Sequence, residues 1–210
     1  MGVSTTIQLA KVRITLEGLP PGLLFGGKGL MQHQANGDTK DTKHMAPEDE
    51  APYRAHWMDK SGREALWSPK RVKELKLCIP AVMLLRSICQ GAVDFKDPLN
   101  KKKSFAYRVG STVAFEEDCL PLQADGYDVS AQWVKIPPRT GAMVQIGRPL
   151  VRVWKAVGTL LVDDEQYRVG TLEEIIRHAG KNVGIGADRP GLRGPHGKYV
   201  LTAFELQPQK

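Results

Sequence analysis

The chain has 210 residues, of which 41% are hydrophobic and 25% charged, and it carries a formal net charge of +7. This composition is typical of a globular domain, and the absence of any apolar run of membrane-spanning length argues against a helical membrane protein. Three scattered cysteines without a Cys-x-x-Cys pair, and an N-terminus without the apolar core of a signal peptide, favour a cytoplasmic protein. The basic charge favours an anionic partner.

The first predicted element is a strand. Residues 7–17 alternate between apolar and polar side chains, which indicates a half-buried β-strand that ends at Leu19-Pro20-Pro21-Gly22. Residues 26–70 then change character, because they are polar and contain few aliphatic side chains. We expect them to form a long, poorly packed insertion into a single domain, since loops of this length are usually functional or disordered.

A helix is predicted after this insertion. Pro80 suits the first turn of a helix, the sequence that follows it is apolar almost all round, and Gly91 is a natural end. This helix should therefore lie in the core. Residues 105–115 and 127–136 then predict two strands.

The C-terminal third predicts a further strand, helix and strand. Residues 150–162 form the longest strand-like run, in which Gly158 suggests a bulge. A helix is predicted from the capping-box pattern Thr171-Leu172-Glu173-Glu174 to Gly180, and a last strand over residues 198–206. The element order is that of an α+β, ferredoxin-like (RRM-like) βαββαβ fold, an architecture used by RNA-recognition modules.

The segment between the last helix and the last strand is rich in glycine and basic residues. Its candidate phosphate-binding residues are Gly184, Gly186, Arg189, Arg193 and Lys198. Glycines permit unusual backbone angles and the close approach of another chain, and free N–H groups with nearby cations suit a phosphate backbone. The pattern is not a P-loop, because no Gly-Lys-Ser/Thr follows at the required spacing, and it is not a dinucleotide fingerprint, because the glycines here follow a helix and precede a strand. The alternative is an ordinary solvated loop.

Two further basic features are candidates for nucleic-acid binding. Arg86 lies on the apolar helix, so its charged group cannot stay unpaired in the core. It either reaches the edge of the core near the ligand side of the sheet, where it can bind a phosphate, or it forms a structural salt bridge. Lys101, Lys102 and Lys103 either line a nucleic-acid track or form a solvated turn.

No catalytic, metal or cofactor site can be assembled from the sequence. His33, His44 and His56 match no zinc-binding spacing, and no Ser-His-Asp or Cys-His constellation is apparent. His196 either takes part in proton transfer or is a turn residue without a chemical role.

Three features together resemble the RAMP superfamily of CRISPR-associated RNA-binding proteins. They are Gly26-Gly27-Lys28-Gly29 after the first strand, Leu77-Cys78-Ile79-Pro80 at the start of the helix that bears Arg86, and the loop Gly184–Lys198. The resemblance covers the core but not residues 30–70. It implies a non-catalytic subunit that binds a guide-RNA backbone and assembles with copies of itself or related subunits. The insertion would then lie between neighbouring segments of the RNA.

Two other functions remain open. Some members of the superfamily cleave RNA, with an acid in an early loop or with a histidine. Asp38 and Asp41 lie in the comparable region, and His196 or a histidine of the insertion would be the candidate for a metal-independent endoribonuclease. The other alternative is a protein-interaction module, for example one encoded by a phage or virus, whose basic charge is incidental.

Overall fold

A computed structural model describes residues 9–26, 45–135, 143–163 and 169–208. These ranges form an α+β fold with four α-helices and a mostly antiparallel sheet. In chain order the elements are β1 (Ala10–Gly18), β2 (Leu23–Leu24), α1 (Pro47–Arg54), β3 (Trp57–Met58), β4 (Glu64–Ala65), β5 (Lys76–Pro80), α2 (Ala81–Gly91), α3 (Ala106–Thr112), β6 (Val113–Phe115), β7 (Cys119–Gln123), β8 (Asp128–Lys135), β9 (Met143–Val151), β10 (Lys155–Val162), α4 (Val169–Asn182) and β11 (Tyr199–Leu206).

The main sheet has the strand order β11-β1-β10-β7-β5-β3-β4, and β6 also pairs with β10. β1 confirms the first predicted strand, and it lies between β10 and β11 with antiparallel pairing on both sides. Its apolar side chains, Ala10, Val12, Ile14 and Leu16, are all buried. Lys11 and Arg13 point to the opposite, exposed face, as the alternating pattern requires.

Helices α2 and α4 cover the apolar face of this sheet. Leu84 and Ile88 of α2 belong to the same core cluster as Ile175 of α4 and the buried face of β1. The two helices pack closely, since a Cβ placed on Gly91 would lie 2.6 Å from the Cβ of Ala179. The core helix predicted after Pro80 is therefore confirmed.

A second, three-stranded sheet has the order β2-β9-β8, and α1 packs on it. The contact depends on Gly147 of β9, where a Cβ would lie 1.8 Å from the carbonyl oxygen of Pro47. The buried carboxylate of Glu50 also accepts a hydrogen bond from the Gly147 amide at 2.8 Å. This helix and its sheet together position the chain that leads to β3.

The predicted poorly packed insertion is wrong for its described part, residues 45–70. Ala51, Ala55 and Trp57 are buried, and β3 pairs with β5 in the main sheet. The few apolar side chains of this segment are therefore used in the core, which its polar composition conceals. Residues 27–44 lie outside the described ranges.

The predicted strand over residues 105–115 is also wrong in its first part, which is helix α3. Phe105 at its N-cap and Val109 within it are buried, a spacing of four residues that fits a helix rather than a strand. Tyr107, which a strand would place on the same face as Phe105, is 86% exposed. The hydroxyl of Ser104 accepts the Ala106 amide at 3.1 Å, which helps the helix to start.

The long run over residues 150–162 is two strands, β9 and β10, separated at residues 152–154. Gly158 is not a bulge, because it pairs in regular register with Ile14. The register irregularity lies instead on the other side of β1, between Thr15 and Leu16. Gly158 permits close packing, since a Cβ there would lie 2.6 Å from Leu120.

Helix α4 extends beyond both predicted ends. Thr171 lies inside the helix, which includes Val169, so the predicted capping box does not start it. Gly180 lies inside as well, where a Cβ would be 2.2 Å from the carbonyl oxygen of Tyr199. The left-handed residue after the helix is Gly184, with φ of 67°.

Candidate functional site

A cavity of about 470 Å³ brings several predicted residues together. It lies between the start of α2, the β3–β4 hairpin and the Gly-rich segment. Four of the nine candidate binding residues line it, namely Arg86, Gly184, Gly186 and Arg189. Gly26, from the first motif of the resemblance, lies at the same cavity, whereas Gly27, Lys28 and Gly29 lie outside the described ranges.

Arg86 reaches the exposed edge of this cavity from α2. It forms no hydrogen bond or ion pair with any residue in the described ranges, so the alternative of a structural salt bridge finds no support there. The neighbouring residues Val82 and Met83 line the cavity on the same helix. The guanidinium group of Arg86 is thus available to an anion.

Arg189 approaches the cavity from the Gly-rich segment. Its guanidinium donates to the Gly186 carbonyl at 3.3 Å and to the side chain of Gln90 at 3.5 Å, distances typical of weak hydrogen bonds. Gln90 lies four residues after Arg86 on α2, so both arginines border the same surface of that helix. Neither contact neutralises the charge of Arg189.

The loop glycines have the unusual backbone angles that were predicted for them, and the close approach that they permit here is to other parts of the same chain. Gly184 and Gly186 have φ of 67° and 78°, and a Cβ on Gly186 would lie 2.5 Å from the Leu24 carbonyl oxygen. The amides of Ile185 and Ala187 donate to the carbonyls of Gly197 and Leu24. The glycines therefore let the loop fold against itself and β2, and most of its N–H groups are already engaged.

The other predicted basic residues do not line the cavity. Arg193 is exposed after a 3-10 helix, Pro190–Leu192, and Lys198 is half-buried just before β11. Lys101, Lys102 and Lys103 are exposed in the turn closed by the bridge between Lys96 and Ser104. The structure thus separates the predicted set into cavity residues and residues elsewhere.

A histidine–carboxylate pair at the cavity was not predicted as a site. Nδ1 of His56 lies 2.6 Å from Oε1 of Glu64, and His56 is buried against the ring of Phe25. The β3–β4 hairpin creates this pair, and its turn is held by Asp59, whose carboxylate accepts the amide and hydroxyl of Ser61. Hydrogen bonds from Ser61 lower the pKa of Asp59. The sequence Asp59-Lys60-Ser61-Gly62, which is typical of a turn, could have indicated this hairpin but was not used.

His196 lies away from this cavity. Its Nε2 is 3.8 Å from the carboxylate of Asp188, and its amide donates to the Asp188 carbonyl. It therefore belongs to the internal structure of the Gly-rich segment. Among the histidines that the structure describes, only His56 lines the cavity.

The charges around the cavity favour an anion. The described residues that line it include two guanidinium groups and one carboxylate, that of Glu64, which is already paired with His56. Guanidinium groups bind phosphates and carboxylates through planar pairs of N–H groups.

Comparisons with known proteins leave the site to be interpreted from its geometry. No family model matches the chain, and no curated protein matches it significantly. Within the described ranges, none of the helices has the length and apolar character needed to cross a membrane.

Proposed function

We propose that this chain is a non-catalytic RNA-binding subunit of a CRISPR-like ribonucleoprotein assembly, related to the RAMP superfamily. The observation that carries the proposal is the meeting of Arg86 and Arg189 at one cavity, with neither charge neutralised by a carboxylate in the described ranges. Their guanidinium groups would hold RNA phosphates. The net charge of +7 would raise the local concentration of the RNA.

The topology supports a ferredoxin-like core for this subunit. A βαββαβ order is present in the chain when the elements inserted between its members are set aside. Its members are β1, α2, β7, β10, α4 and β11. β1 lies between β10 and β11 in the sheet, and β7 lies beyond β10. The remaining elements, including α1 and the second sheet, would be additions to this core. Cytoplasmic location and association with copies of itself are parts of the same proposal.

RNA affinity of single-arginine variants tests the proposal. Arg86→Gln and Arg189→Gln should each weaken binding of single-stranded RNA about tenfold or more, because a hydrogen bond to a charged group contributes about 1.5–3 kcal/mol. Arg193→Gln is the matched control, since Arg193 belongs to the same loop but does not line the cavity. Fluorescence anisotropy gives the affinities, and circular dichroism confirms folding.

The proposal fails if both cavity variants bind RNA as the parent does. Equal losses in all three variants would indicate general electrostatic attraction instead of a site at the cavity. A purified protein without RNA affinity or copurifying nucleic acid would favour the protein-interaction module.

The pair of His56 and Glu64 favours a second candidate, a metal-independent endoribonuclease. A carboxylate that holds a histidine ring is a common arrangement for general acid–base catalysis. In that reaction His56 would accept the proton of a ribose 2′-hydroxyl as its oxygen attacks the adjacent phosphorus. The 5′-oxygen would leave with a proton from water, and a 2′,3′-cyclic phosphate would remain.

Incubation of end-labelled RNA with the protein in EDTA tests this second function. Cleavage that yields 2′,3′-cyclic ends and is lost in His56→Asn would establish it. His196→Asn is the control, because His196 does not line the cavity. Intact RNA in all reactions would leave the non-catalytic subunit as the function.

A further inference from the structure

The shape of the cavity limits which part of an RNA can enter it. Ile185 and Ser87, which are 1% and 3% exposed, form part of its inner wall, whereas the exposed Val82 and Arg86 lie at its edge. The cavity is therefore a pocket that penetrates the surface. Its volume of about 470 Å³ is in the range of sites for single small molecules.

A pocket of this kind suits a terminal nucleotide better than an internal one. An internal nucleotide must carry the backbone out of the pocket in two directions, whereas a terminal nucleotide needs one exit. Three parts of the chain surround the cavity, namely α2, the β3–β4 hairpin and the Gly-rich segment.

The two arginines match the charge of a terminal phosphate. A phosphomonoester carries about −1.5 to −2 charges at pH 7 and three acceptor oxygens, whereas an internal diester carries one charge and two free oxygens. Arg86 and Arg189 can each donate two N–H groups in a planar fork. The three oxygens of a terminal phosphate can accept hydrogen bonds from both guanidinium groups more completely than the two free oxygens of a diester can.

The pocket also has a nonpolar portion that can contact a sugar or base. Pro80, Val82 and Met83 line it next to Arg86, and Ile185 lines it from the Gly-rich segment. Val82 is 53% exposed, which leaves an apolar contact surface at the edge. A nucleotide presents both an anionic group and a flat apolar face to such a site.

We infer that this pocket binds a terminal nucleotide that bears a phosphomonoester, with Arg86 and Arg189 on the phosphate and the nonpolar wall against the sugar and base. The inference rests on the proposed function and makes it more specific, because it assigns the cavity to a phosphorylated end of the RNA rather than to its internal backbone.

The experiment compares one short, internally labelled RNA in three forms, with a 5′-phosphate, with a 3′-phosphate and with hydroxyls at both ends. One phosphorylated form should bind at least about tenfold more tightly than the dihydroxyl form, which is the effect expected from one charged hydrogen-bonding group. A nucleoside monophosphate with the same phosphorylated position should displace it, and the nucleoside should not.

Lysine variants test whether the arginine forks are responsible. Arg86→Lys and Arg189→Lys keep the charge but lose the planar pair of donors, so the preference for the phosphorylated end should fall to within about threefold. Arg193→Lys, outside the cavity, should keep the full preference. Circular dichroism checks that each variant is folded.

The possible outcomes separate this inference from the proposed function. Equal binding of all three RNAs would overturn the inference and leave an RNA-binding protein. Binding of the monophosphate without binding of any RNA would also overturn it, since the site would then be for a free nucleotide and the proposed function would fail as well. Loss of the end preference in Arg193→Lys as strongly as in Arg86→Lys would show that the pocket is not its source.

Discussion

At the scale of single residues, the Gly-rich segment is held together by positions that only glycine can occupy. Gly197 has φ of 71°, and a Cβ there would lie 1.8 Å from the carbonyl oxygen of Ile185. Its own amide donates to the Gly22 carbonyl at 2.8 Å, which fastens the segment to the turn after β1. The position of Arg189 at the cavity therefore depends on a glycine, Gly197, that does not itself line the cavity.

Gly197→Ala should lower the free energy of unfolding by at least about 1–2 kcal/mol, because the left-handed conformation costs this much for a residue with a Cβ. Gly170→Ala is the control. Gly170 lies in α4, and no described atom is within 4 Å of its Cβ position. That variant should be neutral or more stable, since alanine favours helices. Urea denaturation measures both, and an unchanged midpoint for Gly197→Ala would contradict the expectation.

Asp97 and Arg108 form a second residue-scale feature with a pH-dependent consequence. Arg108 donates to both carboxylate oxygens of Asp97, at 3.1 and 3.0 Å, and ties the lysine-rich turn to α3. These hydrogen bonds hold the pKa of Asp97 below its usual range. Because the folded pKa is lowered, the stabilisation is complete above the unfolded pKa of about 4 and is lost as the pH falls below it.

Asp97→Asn should therefore melt at a lower temperature than the parent at pH 7, and the difference should shrink below about pH 4 as the parent carboxylate becomes protonated. Thermal melts across this range provide the measurement. Asp125→Asn, at an exposed position, should follow the parent at every pH. A difference for Asp97→Asn that stays constant down to the lowest pH would contradict the role of the ionised carboxylate.

At the scale of elements, residues 45–65 join the core instead of leaving it. Trp57 of β3 is 8% exposed, donates to the Pro52 carbonyl at 2.8 Å and packs edge-on against Tyr127 at 6.4 Å. β3 also connects the main sheet to the hairpin that carries His56 and Glu64. Stability and the geometry of the cavity are thus linked in this part of the chain.

Trp57→Ala should cost about 3–5 kcal/mol of stability, which is typical of a buried aromatic side chain. Trp133→Ala is the matched control, because Trp133 of β8 is 65% exposed and should matter little. Chemical denaturation of the two variants decides the point. If both variants unfold at the same denaturant concentration as the parent, residues 45–65 are dispensable for folding.

At the scale of the whole molecule, the proposed function requires the net charge of +7 and the cavity arginines to act together on a polyanion. Under that proposal, exposed basic residues outside the cavity, such as Lys101 and Arg193, would attract RNA without fixing its position. Arg86 and Arg189 would add local contacts that each displace counterions from the RNA. The contribution of the overall charge to RNA affinity and that of the two cavity arginines should therefore be distinguishable by measuring affinity at several ionic strengths.

The logarithm of RNA affinity should fall linearly with the logarithm of salt concentration, with about 0.7 in slope for each phosphate neutralised on a single strand. Arg86→Gln and Arg189→Gln should each reduce the magnitude of the slope by about this amount. Titrations at several salt concentrations measure it. Affinity that does not change with salt would argue against phosphate binding by this protein.

Local patterns in the sequence determined the elements whose side chains repeat with one clear period. β1, α2 and β11 were predicted because alternation or a continuous apolar face sets their burial. Residues 106–112 were predicted wrongly as a strand, since Phe105 and Val109 become a helical face only when the neighbouring core buries them. Short runs carry too few repeats to distinguish the two periods.

The candidate site was decided in part by the tertiary structure. The sequence by itself showed Arg86, Arg189 and the glycines, because charge on an apolar helix and glycines among cations are local features. Only the fold placed the two arginines at one cavity and left Arg193 and the lysine run elsewhere. It also paired His56 with Glu64, through a hairpin register. The distances between these side chains depend on contacts between segments that are far apart in the sequence, and no local sequence pattern encodes such contacts.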